Sequence, residues 1–91
     1  MVAKNEALRK KLIFRSWHRG TREADLLIGS FADKYVPTMS DTQLNEYIAI
    51  IERSDPDIYN WITEREEAPQ DLQNSVLKLM ISHRFEGSKR S

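Results

Sequence analysis

A chain of 91 residues and 10.7 kDa buries only about 60% of its unfolded surface on folding, so it reads as one domain, 1–91, with a thin core. Hydrophobic residues make up 40% and charged residues 31% of it, which excludes the low-hydrophobicity, high-net-charge composition of disordered chains. Having no cysteine excludes disulfides and thiolate metal sites and favours a reducing compartment, while a formal net charge of zero conceals a basic start: residues 1–22 hold seven Lys or Arg against one acid, and residues 23–84 hold twelve acids against five bases.

The opening segment, about Asn5 to His18, predicts a helix in which Leu8, Leu12, Ile13 and Trp17 cluster and Phe14 falls outside the tightest stripe. MVAKNEALRKKLIF has no secretory apolar segment of about 7–15 residues, and it is too short and, with Glu6, too acidic for a transit peptide. It reads as a mature N-terminus. Arg9, Lys10 and Lys11 read as a solvated face rather than a binding stripe.

HRGTREAD, His18 to Asp25, then interrupts the pattern. Glycine inside a helix costs roughly 1 kcal/mol relative to alanine, so Gly20 marks the junction between the first and second helices, with a positive φ or a close backbone approach. Arg19 and Glu23, with Arg22 and Asp25 beside them, gather charge at one corner. A solvated corner with an Arg19–Glu23 ion pair of about 0.3–0.5 kcal/mol and a contact surface both fit these residues. Trp17 beside the corner either seals the core beneath Gly20 or anchors an interface. His18 reads as a surface residue.

The second helix is written by Ala24, Leu27, Ile28, Phe31 and Tyr35 on one stripe, and Val36-Pro37 ends it because proline disfavours the helical conformation in the residue before it. Ser40-Asp-Thr-Gln43 matches the capping box, and Leu44, Tyr47, Ile48 and Ile51 follow as a third helix. Asp55, as N-cap, with Pro56 at the first helical position and Asp57 near the positive dipole end, opens a short fourth helix with Ile58, Trp61 and Ile62 inward. The pattern breaks at Glu66–Pro69. Leu72, Val76, Leu79, Met80 and His83 form the last stripe, and Gly87–Ser91 reads as a frayed tail. The fold class is all-α, a compact antiparallel five-helix bundle.

Little in the chain supports catalysis. Neither histidine has another three or four residues away, and the three glycines are scattered rather than grouped into a phosphate-binding loop. A helix start and a solvated loop explain Asp55/Asp57 and Glu66/Glu67 better than acid-base work. No catalytic or metal-ligating residues are assigned. No apolar run reaches the roughly 20 residues of a membrane span, so no membrane insertion is expected. The basic first segment leaves open a nucleic-acid-binding or antitoxin-like regulatory module, whose affinity for DNA falls steeply with salt.

Arg19-Gly20-x-x-Glu23, followed by Asp25 and an apolar helix, resembles the RGxxE signature of the SdhE, or succinate dehydrogenase assembly factor 2, family of flavinylation factors. Asp55-Pro56-Asp57-Ile58-Tyr59-Asn60-Trp61 resembles that family's second segment, at about the expected distance downstream, and the likeness covers roughly residues 7–84. The resemblance implies a helical chaperone without catalytic residues, which binds the flavoprotein subunit of succinate dehydrogenase or fumarate reductase and promotes covalent attachment of FAD. By match, client contact falls on Arg19, Gly20 and Glu23, with Trp17, His18, Arg22 and Asp25 flanking and Asp55, Pro56, Asp57, Tyr59 and Trp61 as the second motif. His18 and Thr21 depart from the arginine and methionine that many relatives carry. FAD then belongs to the client and is not held stably by this chain. A monomer is expected, cytoplasmic in a bacterium or in the mitochondrial matrix of a eukaryote, without nucleic acid.

Overall fold

A computed structural model describes residues 5–90, with side chains for residues 5–84. The basic residue Lys4 and the remainder of the first four residues lie outside the described residues, as does Ser91. Five α-helices make up the described chain, with no strand: α1 Glu6–Trp17, α2 Arg22–Tyr35, α3 Asp41–Ile51, α4 Asp55–Ile62 and α5 Ser75–Arg90. The all-α class read from the periodicity is met. The helices group into two compact units, Met1–Met39 and Ser40–Ser91.

In the first unit, α1 carries Glu6 in its first turn and Arg15 in its last, matching the helix dipole at both ends. Its buried residues are Leu12 and Ser16, one turn apart. Ser16, wholly buried, donates its hydroxyl to the Leu12 carbonyl at 2.7 Å, which satisfies a polar group otherwise costly in a core. The α2 stripe is largely as read: Ala24, Ile28 and Phe31 are buried and Leu27 and Tyr35 half-buried, while Gly29 and Ala32 join the buried face. Phe31 and Tyr35, one turn apart, bring their rings to 4.8 Å.

Val36-Pro37 closes α2 by tightening it rather than stopping it. Val36–Thr38 forms a 3-10 turn in which the buried Val36 carbonyl accepts the Met39 N–H at 3.2 Å. The same carbonyl accepts Arg9 Nη1 at 2.6 Å. Arg9 therefore departs from the solvated face expected of it: its long stem lets the guanidinium reach the second lone pair of a carbonyl that already accepts the Met39 N–H.

In the second unit the capping box is present as read, Ser40 Oγ accepting the Gln43 N–H at 3.2 Å and Gln43 Oε1 accepting the Ser40 N–H at 3.0 Å. Leu44, Tyr47, Ile50 and Ile51 bury the inner face of α3, and Ile48 is half-buried. The α4 cap lies one residue earlier than expected. Ser54, in extended conformation, accepts the Asp57 N–H at 3.4 Å, and Asp55 and Pro56 occupy the first two helical positions. Serine and aspartate cap about equally well, so backbone conformation decides: Ser54 is extended, and Asp55 is already helical.

Beyond Ile62 the chain turns back on α4, with the Asn60 carbonyl accepting the N–H groups of Arg65 at 2.9 Å and Glu66 at 3.2 Å while Glu64 adopts a left-handed φ of 62°. Leu72 is buried but belongs to a 3-10 turn, Gln70–Leu72, rather than to the last helix. Asn74 Oδ1 accepts the Leu77 N–H at 2.9 Å and starts α5. Val76 and Met80 are buried as read and Leu77 joins them, while Leu79 and His83 are half-buried. The helical backbone continues through Gly87 to Arg90.

Ser54→Ala should cost about 1 kcal/mol, lowering the melting midpoint by about 4–8 °C in a chain of this size. Ser54→Asp should retain it. Thermal unfolding followed by circular dichroism checks both, and an unchanged midpoint for the alanine variant would rule out Ser54 as the cap.

Candidate functional site

The corner between α1 and α2 is built from the backbone outward. Leaving α1, His18 donates its backbone N–H to the Arg15 carbonyl at 3.3 Å, and its ring lies on Phe14 with centroids 4.0 Å apart and planes 23° from parallel. His18 Nδ1 is 2.7 Å from the Phe14 carbonyl oxygen, close enough for Nδ1–H to donate. Gly20 follows at φ 121°, which L side chains rarely adopt. The positive φ is one of the two reasons the sequence offered for a glycine there. Thr21, extended, starts α2 by accepting the Ala24 N–H on Oγ1 at 3.2 Å.

One carboxylate ties the two sides together. Asp25 Oδ1 accepts the Arg19 backbone N–H at 2.6 Å, so a residue in the first turn of α2 holds the chain that leaves α1. Asp25 also places negative charge at the positive end of the α2 dipole. Asp25 and Arg19 are half-buried; His18, Gly20, Thr21, Arg22 and Glu23 are exposed. The structure thus brings Trp17, His18, Arg19, Gly20, Arg22, Glu23 and Asp25 together at one solvent-facing corner. A shallow concavity of about 610 Å³ opens on it, lined by His18, Gly20, Thr21, Arg22, Asp25 and Leu26.

Trp17 fixes the angle of the corner. Its indole lies against Gly29, where an added Cβ would sit 2.6 Å from ring atoms Cε2 and Cε3, and its Nε1 donates to Asp33 Oδ1 at 3.2 Å. The half-buried Trp17 is thereby the seal between α1 and α2. Gly29 counted in the sequence only as one of three scattered glycines. The missed signal is a tryptophan ending one helix opposite a glycine in the middle of the next.

The second motif lies in the other unit. Asp55 and Asp57 are half-buried at the start of α4, Pro56 is exposed, Tyr59 is half-buried and Trp61 is buried. Arg53 lies over the Trp61 ring, 5.7 Å from its centroid, and Arg65 over Tyr59 at 5.9 Å, within cation–π range. Trp61 also borders a pocket of about 480 Å³ between α4, the Glu64–Ala68 loop and the start of α5. Among the described residues no cluster of three or more His, Cys, Asp or Glu is placed to hold a metal ion, and no described helix is long and apolar enough to cross a membrane.

These features define a class: small all-α proteins that present an ordered, charged turn to solvent. More specifically, the chain belongs to the family described as flavinator of succinate dehydrogenase, whose sequence profile matches residues 10–84. It is 42% identical over 82 residues to a mitochondrial succinate dehydrogenase assembly factor 2 of Dictyostelium discoideum, covering 90% of this chain and 58% of that protein. It is 36% identical over 75 residues to the FAD assembly factor SdhE of Acetobacter pasteurianus, covering 82% of this chain and 69% of that protein. With the zebrafish Danio rerio succinate dehydrogenase assembly factor 2 it shares 36% identity over 74 residues, covering 79% and 47%. The chain thus spans roughly half to two thirds of the length of these relatives. No solved structure gives a significant match.

Gly29→Ala should destabilise the protein by about 1–3 kcal/mol, the usual cost of overpacking, although alanine is the better helix former by about 1 kcal/mol. In a Trp17→Ala background the same change should turn neutral or stabilising, because the ring it meets is gone. A double-mutant cycle of melting midpoints measures this coupling; strict additivity would show that the ring does not constrain Gly29.

Proposed function

We propose that this chain binds the flavoprotein subunit of succinate dehydrogenase, or of the related fumarate reductase, and promotes covalent attachment of FAD to it. The observation that carries the reading is the solvent-facing corner between α1 and α2, ordered by Asp25 and by Gly20, within the span matched by a family whose description is the flavinator of succinate dehydrogenase. The names of the Dictyostelium and Acetobacter relatives support it. Arg19 and Glu23 make the client contacts, Gly20 sets the turn that presents them, and the Asp55–Trp61 segment serves as the second motif.

On this reading the client supplies the nucleophile that becomes bonded to the flavin, and the factor contributes binding alone. It acts as an assembly chaperone, with no catalytic step and no stably held cofactor of its own, as a monomer in a bacterial cytoplasm or a mitochondrial matrix. Making an attachment-competent client conformation ten times more populated requires about 1.4 kcal/mol of differential binding. One or two hydrogen bonds to charged groups, at about 1.5–3 kcal/mol each, suffice. The alternative of a nucleic-acid module on the basic first helix predicts affinity for DNA that falls steeply with salt.

Co-expressing the flavoprotein subunit with and without this chain and comparing in-gel flavin fluorescence after denaturation tests the reading. Wild type should raise covalent flavin, and Arg19→Ala and Glu23→Ala should lower that gain severalfold with little change in melting. Equal fluorescence with and without the factor would remove the proposal. Gly20→Ala should also lose activity but at a cost of about 1–3 kcal/mol in stability, because its φ excludes most side chains.

A further inference from the structure

Among the described residues two large apolar side chains stand well out of the fold, Phe14 at 62% and Leu26 at 55% exposure. Neither lies in the Arg19–Glu23 or Asp55–Trp61 segments. His18 links the two, its ring stacking on Phe14 and lining the same concavity as Leu26. An aromatic ring held in a stack is already ordered, so covering it forfeits little side-chain entropy.

The surroundings of this patch are basic. Lys10 and Lys11 precede Phe14 by about one turn, Arg15 is next to it, and Arg22 stands at the lip of the concavity; all four are exposed. Positions three and four residues apart share a helix face, so Lys10, Lys11 and His18 flank Phe14. Glu23 is an exposed acid nearby and Asp25 is engaged with the Arg19 N–H. An apolar centre inside a charged, solvated rim is the anatomy of an interface hot spot.

We propose that Phe14, His18 and Leu26 are the apolar anchor of the docking surface, and that the client face covering them presents an apolar side chain ringed by carboxylates. This rests on the reading that the partner is a client flavoprotein subunit. Charge complementarity selects that occupant. A second copy of this chain would set one basic segment against another, which like-charge repulsion disfavours. A lipid surface engages a long apolar helix face, whereas α1 exposes Phe14 among Lys10, Lys11 and Arg15 and turns Leu12 inward.

The test measures binding of the full chain and its Phe14→Ala and Leu26→Ala variants to the purified flavoprotein subunit, at low and moderate salt, alongside melting curves. Each variant should weaken Kd by about tenfold, as for hot-spot truncations, with melting unchanged because exposed positions contribute little to stability. Phe14→Leu should recover most of the affinity, and Lys11→Glu should slow association and flatten its salt dependence. Binding of both alanine variants within twofold of wild type, in a system where wild type binds and raises covalent flavin, would overturn the anchor while leaving the assembly role intact. Absence of wild-type binding would overturn both. A wild-type dimer that Phe14→Ala dissociates, or wild-type attachment to anionic vesicles that this variant loses, with client binding untouched in either case, would overturn the anchor in favour of that other occupant.

Discussion

The geometry of the first unit depends on the Trp17 ring lying on the bare backbone of Gly29. Helices approach closely only where one offers a small residue, and α2 offers Ala24, Gly29 and Ala32 on its buried face. The indole fills the space that Gly29 leaves, and its bond to Asp33 fixes the ring's direction. From the other helix end, Arg9 ties α1 to the turn that closes α2. Two contacts from α1, one near each end, leave it little freedom to slide or roll, and the corner between the helices takes its shape from that constraint.

Within the corner the hydrogen bonds are directed largely at backbone. Asp25 holds the Arg19 N–H, Thr21 holds that of Ala24, and His18 meets the Phe14 carbonyl. A turn ordered this way has already met much of its conformational cost during folding. A partner that meets it then forfeits less entropy than one that must organise a loose loop, which is how a small surface supports a useful affinity.

What was legible in the sequence was local. The Ser40–Gln43 capping box needs only residues three apart, the α2 stripe only helical spacing, and the demand for glycine at position 20 only the interruption of a pattern. What was not legible required either an atomic backbone or a distant partner. Ser54 and Asp55 are adjacent and chemically equivalent as caps, so only φ and ψ separate them. The Leu72 spacing fitted a helix that begins at Ser75, because a buried leucine in a tight turn and one in a helix carry the same hydrophobic signal. Arg9 looked solvated because the carbonyl it meets is 27 residues away. Spacing alone leaves Trp17 between two roles, because Gly29 and Asp33, which it meets, are 12 and 16 residues away. At the corner the charged residues follow from the sequence, and Phe14 falls outside the tightest stripe of α1, but how far Phe14 and Leu26 stand out is a property of the folded surface.

The contacts that define the corner also bear on when it forms. The Arg19–Asp25 bond closes a separation of 6 residues, Trp17–Asp33 one of 16 and Arg9–Val36 one of 27, and none reaches past Met39. Short closures of this kind are among the fastest events in folding. During synthesis, which proceeds from the N-terminus, every residue these bonds need is therefore made before the capping box of α3, so the shape of the turn can be set while the ribosome is still translating the rest of the chain.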